Sequence, residues 1–257
     1  MKVELLPSTF GGPSVMQFCM SLLINDKVAL DAGTLGFLWP VDRQRQVQHV
    51  FLSHSHADHI ASLPMFLDNV YEPIESCPQI YAGPETLDCL RKYIFNDTYW
   101  PDFIRLSAEE NPFLTLCELT SETPVGLPCG ITVTPVLLHH TIPTFGFIVE
   151  DSTVTVAFVS DTGPTEQIWK LLRLRPRLAA VFLECSFPNK LEWLAGKSGH
   201  LCPRLFAAEL QKFDSSVPLL VYHLKPAFQE QIARELEALQ RPGLQLAVSG
   251  HAYEFRA

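Results

Sequence analysis

The sequence has 257 residues, with 19 Lys and Arg against 28 Asp and Glu, a formal net charge of −9. At 47% apolar and 18% charged residues it can bury a large core, which excludes a disordered chain. The acidic balance argues against a basic face for sequence-independent binding along a nucleic-acid backbone, although a bound metal would let it accept a small anionic substrate.

In chain order, Met1–Pro7 reads as a strand. Met16–Ile24 and Lys27–Asp31 are apolar runs split by Asn25-Asp26, the signature of a hairpin. His49–Ser53 is a short apolar strand that runs into a histidine cluster. Leu63–Val70 and Pro84–Phe95 are predicted helices, with Pro64 and Pro84 suited to a first turn. The segment Asn96–Pro128, rich in Pro, aromatic residues and Glu, reads as an insertion or lid. Ile131–Leu138, Phe145–Glu150 and Thr153–Ser160 are β-rich, and Asp151-Ser152 marks a tight turn between the last two. Thr165–Leu174 is predicted helical and Leu178–Leu183 a strand. Pro203–Phe213 is a helix with Leu205, Phe206, Leu210 and Phe213 on one stripe. Val217–Leu224 is a strand, and Pro226–Leu239 is a helix carrying Phe228, Ile232, Leu236 and Leu239 at helical spacing. No internal repeat is visible, and a single domain over residues 1–257 in two similar halves is expected. Two sheets between outer helices fit the pattern.

No apolar run reaches the 18 or more residues of a membrane helix, and the start MKVELLPSTFGG lacks a signal peptide's apolar stretch, so a cytoplasmic protein without membrane contact is expected. The seven cysteines form no CxxC pair, which removes a zinc ribbon or dithiol motif, and most are expected to be small buried hydrophobes. The chemistry concentrates in Ser53-His54-Ser55-His56-Ala57-Asp58-His59, where three imidazoles and a carboxylate fall within six residues. A strand end opening into a loop lets His54 and His56 share one metal while Asp58 and His59 reach a neighbouring one. Imidazole with carboxylate oxygen is a ligand set for zinc, or for manganese or iron.

HxHxDH after a short apolar strand resembles the signature of the metallo-β-lactamase superfamily, and the resemblance continues along most of the chain. Leu30-Asp31-Ala32-Gly33 resembles the motif whose strand-end Asp supports the metal loop without ligating. His139-His140 before Thr141–Phe147 resembles the histidine, turn and Gly-aromatic strand motif; its register favours His140, with His139 as the alternative. Ser160-Asp161-Thr162-Gly163 resembles the motif of the bridging Asp, and Tyr222-His223-Leu224-Lys225-Pro226 the final histidine motif. The resemblance implies an α+β fold, an αββα sandwich of two mixed sheets with outer helices. It implies two divalent metal ions, Zn2+ with Mn2+ or Fe2+ as alternatives. One would be held by His54, His56, His140 and Asp161, the other by Asp58, His59, Asp161 and His223.

Leu183-Glu184-Cys185-Ser186-Phe187-Pro188-Asn189 and Ser198-Gly199-His200-Leu201-Cys202-Pro203 narrow the family. An acidic residue, Ser-Phe-Pro-Asn and Gly-His-Leu-x-Pro look like the class II cyclic-nucleotide phosphodiesterases, and ribonuclease Z has a related Glu and His. This implies a phosphodiesterase cleaving a small phosphodiester, foremost a 3′,5′-cyclic nucleotide, by a hydroxide shared between two metals ~3.5–4 Å apart. Asp58 would also orient that hydroxide, His200 would donate a proton to the leaving oxygen, and Glu184 would orient His200. The chain departs from the pattern at Ala57, where class II enzymes prefer Leu. A ribonuclease Z-like RNA phosphodiesterase lacks support from a basic arm or from the −9 charge, so a large nucleic acid is not the expected partner. A glyoxalase II-like thioester hydrolase would leave the Ser-Phe-Pro-Asn stretch unexplained, and a non-enzymatic metal-binding partner protein would have no need of the full ligand set. Related phosphodiesterases often form homodimers.

Overall fold

The computed structural model describes residues 1–8, 18–213 and 216–256. Its strands are β1 (Lys2–Leu5), β2 (Leu22–Ile24), β3 (Val28–Leu30), β4 (His49–Phe51), β5 (Gln79–Ala82), β6 (Thr115–Glu118), β7 (Val125–Gly126), β8 (Thr132–Leu138), β9 (Thr144–Glu150), β10 (Thr155–Val159), β11 (Leu178–Glu184), β12 (Leu219–Tyr222), β13 (Leu244–Leu246) and β14 (Ala252–Glu254). The α-helices are α1 (Val41–Arg45), α2 (Ala57–Ile60), α3 (Leu63–Val70), α4 (Pro84–Cys89), α5 (Phe103–Ser107), α6 (Gln167–Leu172), α7 (Glu192–Ser198), α8 (Pro203–Gln211) and α9 (Gln229–Glu237).

The strands form two seven-stranded sheets, ordered β14-β1-β2-β3-β4-β5-β6 and β13-β12-β11-β10-β9-β8-β7. Each is built the same way. Antiparallel pairs lead to β3 in the first sheet and to β10 in the second, and parallel pairs follow from there to β6 and β13. The sheets do not follow the halves of the chain throughout, because the C-terminal β14 pairs with β1 in the first sheet.

Alternation explains why the strands read as continuous apolar runs: both faces of each sheet are covered. Val156, Phe158, Phe182, Leu220 and Tyr222 point between the sheets, where they meet Leu30, Phe51 and Tyr81 from the first sheet. Their neighbours Ala157, Val159, Val181, Leu183, Leu219 and Val221 face outward onto Ile168, Trp169, Phe206, Ile232 and Leu236 of α6, α8 and α9. On the other side, Ala29, Val50 and Ile80 pack beneath Leu63, Phe66, Leu67 and Leu87 of α3 and α4. Helix, sheet, sheet and helix therefore stack as the sequence implies, the αββα sandwich.

Several local signals carry through. Asn25 and Asp26 both adopt positive φ (49° and 56°), the geometry of a two-residue hairpin turn between β2 and β3. Met16 and Gln17 of the Met16–Ile24 run lie outside the described residues. The predicted helix over Pro84–Phe95 is present, but its second half, Leu90–Ile94, is a π-turn. The Asp151 turn is closed by its carboxylate, which accepts from the backbone N–H groups of Thr153 and Val154, so β10 starts two residues later than expected.

The insertion or lid expected over Asn96–Pro128 is corrected. That segment supplies edge strands to both sheets, β6 beside β5 and β7 beside β8. Phe103 is buried among the aliphatic side chains beneath α3 and α4, and Trp100 packs against the same group. The expectation of mostly buried cysteines is also corrected: all seven are free thiols, and only Cys185 and Cys202 are buried. Among the described residues no helix is long and apolar enough to cross a membrane.

Candidate metal centre

All parallel strands, together with β8, end on the same edge of the sandwich, and there their following residues meet. In sheets of this kind ligands gather at the carboxyl ends of the strands. β3 delivers Asp31, β4 leads into Ser53–His59, β8 into His140, β10 into Asp161, β11 ends on Glu184, and β12 leads into His223. The HxHxDH segment is not all loop. His56 precedes the first turn of α2, and Asp58 and His59 lie within that helix.

The side chains fall into overlapping groups with donor atoms within 4.8 Å of one another: His54, His56, His140 and Asp161; Asp58, His59 and His223; and Asp161, His200 and His223. Asp161 stands between them. Its Oδ2 is 3.8 Å from His54 Nε2 and 3.9 Å from His140 Nε2. Its Oδ1 is 3.3 Å from both His59 Nε2 and His223 Nε2. His223 Nε2 also lies 3.4 Å from Asp58 Oδ2. His139 is exposed and turned away, its carbonyl accepting from the Gly163 N–H, so the chain brings His140 and not His139 into the group.

Hydrogen bonds around the rim fix how each ring presents itself. Asp31 accepts from Ser53 N (2.7 Å), Ser53 Oγ (2.9 Å) and His59 Nδ1 (2.7 Å). With its proton on Asp31, the Ser53 hydroxyl accepts from His54 Nδ1 at 2.9 Å. Ser186 repeats the device: its hydroxyl donates to the His223 carbonyl and accepts from His223 Nδ1 at 3.0 Å. His140 Nδ1 donates to the Gly199 carbonyl at 2.8 Å. In each of these four histidines the outer nitrogen, Nδ1, holds a proton, which leaves Nε2 pointing inward for a cation. His56 faces the group through Nδ1, 2.9 Å from His54 Nε2 and 3.2 Å from His140 Nε2.

These inward donor atoms crowd one another, and that is the test of fit for a cation. Asp161 Oδ1 is buried without a hydrogen-bond partner. His59 Nε2 and His223 Nε2 face each other at 3.3 Å. A buried carboxylate oxygen without a hydrogen bond and imidazole nitrogens opposed at 3.3 Å are costly unless a positive charge joins them. The donor set therefore fits divalent ions with nitrogen and oxygen ligands.

The electrostatics point the same way. Burial disfavours the charged form of Asp161, but His223 and His59 outweigh it and hold its pKa well below the carboxylate range. Burial likewise opposes ionisation of Asp58, and His223 and His59 more than compensate, so its pKa is lowered. Burial lowers the pKa values of His54, His56 and His140. For His59 burial is outweighed by Asp161 and Asp31, and its pKa is raised: this position favours a positive charge.

His200 belongs to the same edge. Its Nδ1 is 2.7 Å from Glu184 Oε1, and its Nε2 is 3.9 Å from Asp161 Oδ2. Distance alone does not set it apart from His54 or His140; its carboxylate partner does. Burial opposes its protonation, Glu184 and Asp161 prevail, and its pKa is raised. Glu184 Oε1 is itself held by the backbone N–H groups of Thr162 and Leu201, which locks it beside Asp161.

The sequence did not single out the roles of Ser53, Ser186 and Gly199. Single serines carry no spacing signal. Gly199 had one, standing directly before His200. It adopts φ 66°, and a Cβ there would sit 3.0 Å from His140 Cα, so a side chain would push against the ring its carbonyl orients.

The beta-lactamase superfamily domain model matches residues 30–223. A probable 3′,5′-cyclic-nucleotide phosphodiesterase of Yersinia pestis is 26% identical over 235 residues, covering 80% of this chain and 64% of that protein. The 3′,5′-cyclic-nucleotide phosphodiesterase 1 of Saccharomyces cerevisiae is 27% identical over 227 residues, covering 74% of this chain and 60% of that protein. The chain thus spans less than two thirds of the length of these relatives. The crystal structure of unliganded yeast PDE1 superposes with a TM-score of 0.77 at 20% identity, covering 100% of this chain and 99% of that one, which shows a shared fold.

Proposed function

The chain belongs to the beta-lactamase superfamily, and from that premise we propose that it is a metal-dependent phosphodiesterase acting on a small phosphodiester, foremost a 3′,5′-cyclic nucleotide. The observation that carries this reading is Asp161, which groups with His54, His56 and His140, and whose buried Oδ1, without a hydrogen bond, lies 3.3 Å from His59 and His223 of the neighbouring group. His54, His56, His140 and Asp161 would hold one divalent ion, zinc or alternatively manganese or iron, and Asp58, His59, Asp161 and His223 a second. Two such ions lower the pKa of water toward ~7 and neutralise charge building on a phosphoryl group. The names of the two sequence relatives support the substrate class.

The protein's own residues supply the rest. Asp31, Ser53, Ser186 and the Gly199 carbonyl orient four imidazoles through Nδ1, so each ring is aimed at the site before a ligand arrives. Asp58 orients the attacking water. Glu184 keeps the proton of His200 on Nδ1 and favours a second proton on Nε2, the nitrogen facing Asp161. His200 passes that Nε2 proton to the departing 3′ oxygen, a contribution of about 10²–10⁴-fold. His54, His59, Asp161, Glu184 and His200 are buried, while His56, Asp58 and His140 are half-buried and line the side a ligand would approach from.

The test is metal content together with turnover of bis-p-nitrophenyl phosphate, cyclic AMP, cyclic GMP, 2′,3′-cyclic nucleotides, a tRNA precursor and a glutathione thioester. Cleavage of cyclic nucleotides is expected. A protein that binds no metal, or that cleaves only the thioester, would overturn the proposal. His200→Gln should retain the metals and lose about 10²–10⁴-fold in turnover; normal turnover would remove His200 from the mechanism.

A further inference from the structure

Where the chain leaves β12, His223 adopts φ 60°, a left-handed conformation that is uncommon for a residue with a side chain. The turn aims the imidazole at Asp161 and carries Leu224, Lys225 and Pro226 along the rim of the same edge. Lys225 Nζ comes to 3.6 Å from Asp58 Oδ2. That is an ion-pair distance, too long for a hydrogen bond, and it leaves the ammonium N–H groups to a ligand. The side chain is 35% exposed and so is reached from solvent.

A cavity opens beside this lysine, lined by Phe18, Met20, His223, Leu224, Lys225 and Pro226. One lining residue, His223, belongs to the candidate metal centre. One corner is a cation. The remaining side chains are apolar, and Phe18 leaves 45% of its surface exposed. The proposed chemistry at Asp161 uses none of these groups except His223. A cavity that joins a metal centre, a single ammonium and an aromatic ring matches a ligand with an anionic end and a flat, weakly polar one. A nucleotide has that form.

We infer that this cavity is the nucleoside subsite of the phosphodiester substrate, with Lys225 donating to a non-bridging phosphate oxygen and the base resting against Phe18. The inference deepens the phosphodiesterase reading and rests on it. Lys225 acts as a point charge on the phosphate, independent of the base, while Phe18 contributes only when a base is present.

The metal-loaded protein is titrated calorimetrically with 5′-AMP and, separately, with inorganic phosphate, and bis-p-nitrophenyl phosphate turnover is followed in parallel. Lys225→Gln is expected to weaken both ligands about 10- to 100-fold, with metal content unchanged and Lys225→Arg restoring most of the loss. Phe18→Ala is expected to weaken 5′-AMP about 10- to 100-fold and phosphate by less than about 2-fold. Wild-type protein that fails to bind 5′-AMP, or a Lys225→Gln variant that binds it normally, overturns the subsite. So does a Phe18→Ala variant in which both ligands weaken alike. If the wild type binds 5′-AMP with this pattern but cleaves no phosphodiester, the subsite stands and the catalytic reading falls. If it cleaves bis-p-nitrophenyl phosphate while the variants bind 5′-AMP normally, the reverse holds.

Discussion

Asp31 touches no proposed metal position, yet replacing it should disable the site. The residue is 6% exposed, and its carboxylate takes three hydrogen bonds, from Ser53 N, Ser53 Oγ and His59 Nδ1. Asp31→Ala leaves those three donors buried and unpaired, at about 1–3 kcal/mol each. It also puts an alanine at φ 61°, which costs about 1–2 kcal/mol. Partial relaxation brings the expected loss to about 4–6 kcal/mol. Asp31→Asn separates geometry from proton placement. Asparagine tolerates the left-handed backbone and keeps an acceptor for Ser53 N, so the stability loss should be about 1–2 kcal/mol. Its amide N–H, however, faces His59 Nδ1 and forces the proton onto Nε2, where the lone pair had pointed at Asp161. Metal affinity should then fall about 10–100-fold. Urea unfolding of the chelator-treated protein gives the stabilities, and competition with a chromophoric chelator gives the affinities. An Asn variant with wild-type metal affinity would refute the tautomer argument. An Ala variant with wild-type stability would refute the burial argument.

Three further outcomes are expected. Gly33→Ala would place a Cβ 2.0 Å from the Asp58 carbonyl and 2.6 Å from Met20 N, so the HxHxDH segment must move; a loss of about 2–4 kcal/mol by urea unfolding, with lost metal binding, is the expected result. Behind the second sheet, buried Glu209 accepts from Trp169 Nε1 and Thr165 N and pairs with Lys212. Glu209→Ala should cost about 3–5 kcal/mol in the same measurement, without changing the ligand geometry. Finally, the raised pKa of His59 makes its protonation stabilising in the metal-free protein. That contribution is complete below the ordinary value of 6.5 and is lost as pH rises through the folded value. The lowered pKa of Asp58 acts oppositely, adding stability above 3.8 that is lost as pH falls through its folded value. Thermal melts of chelated protein should therefore decline toward both alkaline and strongly acidic pH. Metal should flatten the alkaline limb, and an unchanged alkaline limb would count against His59 as the site of the proton.

The amino-acid order made much of this visible, for identifiable reasons. The strands β8 to β12 are buried on both faces and so read as unbroken apolar runs, and α8 and α9 show one apolar stripe each. The HxHxDH segment is dense enough in rare residues to be noticed without a partner. Less visible were β5, β6, β13 and β14. β6 and β14 show mixed burial at sheet edges, where a strand owes its existence to its neighbour more than to its own pattern. The short helices α1, α2 and α7 were hidden for a related reason: four to seven residues hold too little periodicity to detect. In the site itself, types and order identified the imidazoles and carboxylates, but not the serines that hold them. A serine becomes informative only when the fold brings it to the ring it supports.

Two donors of the proposed second ion, His59 and His223, stand 164 residues apart in the chain and follow strands of different sheets, β4 and β12. A single ion held by both would be a cross-link closing one of the longest loops the chain can make. Loop-closure entropy grows only slowly with length, but it must be met before the ion finds its ligands. Metal capture would therefore come late in folding, after the two sheets have docked. Neither half alone could trap an ion at this second position, and free metal would drive the docking equilibrium by mass action. Limited metal supply would then show first as a population of molecules with formed sheets and a loosened seam between them, detectable by hydrogen exchange along the strands that line it.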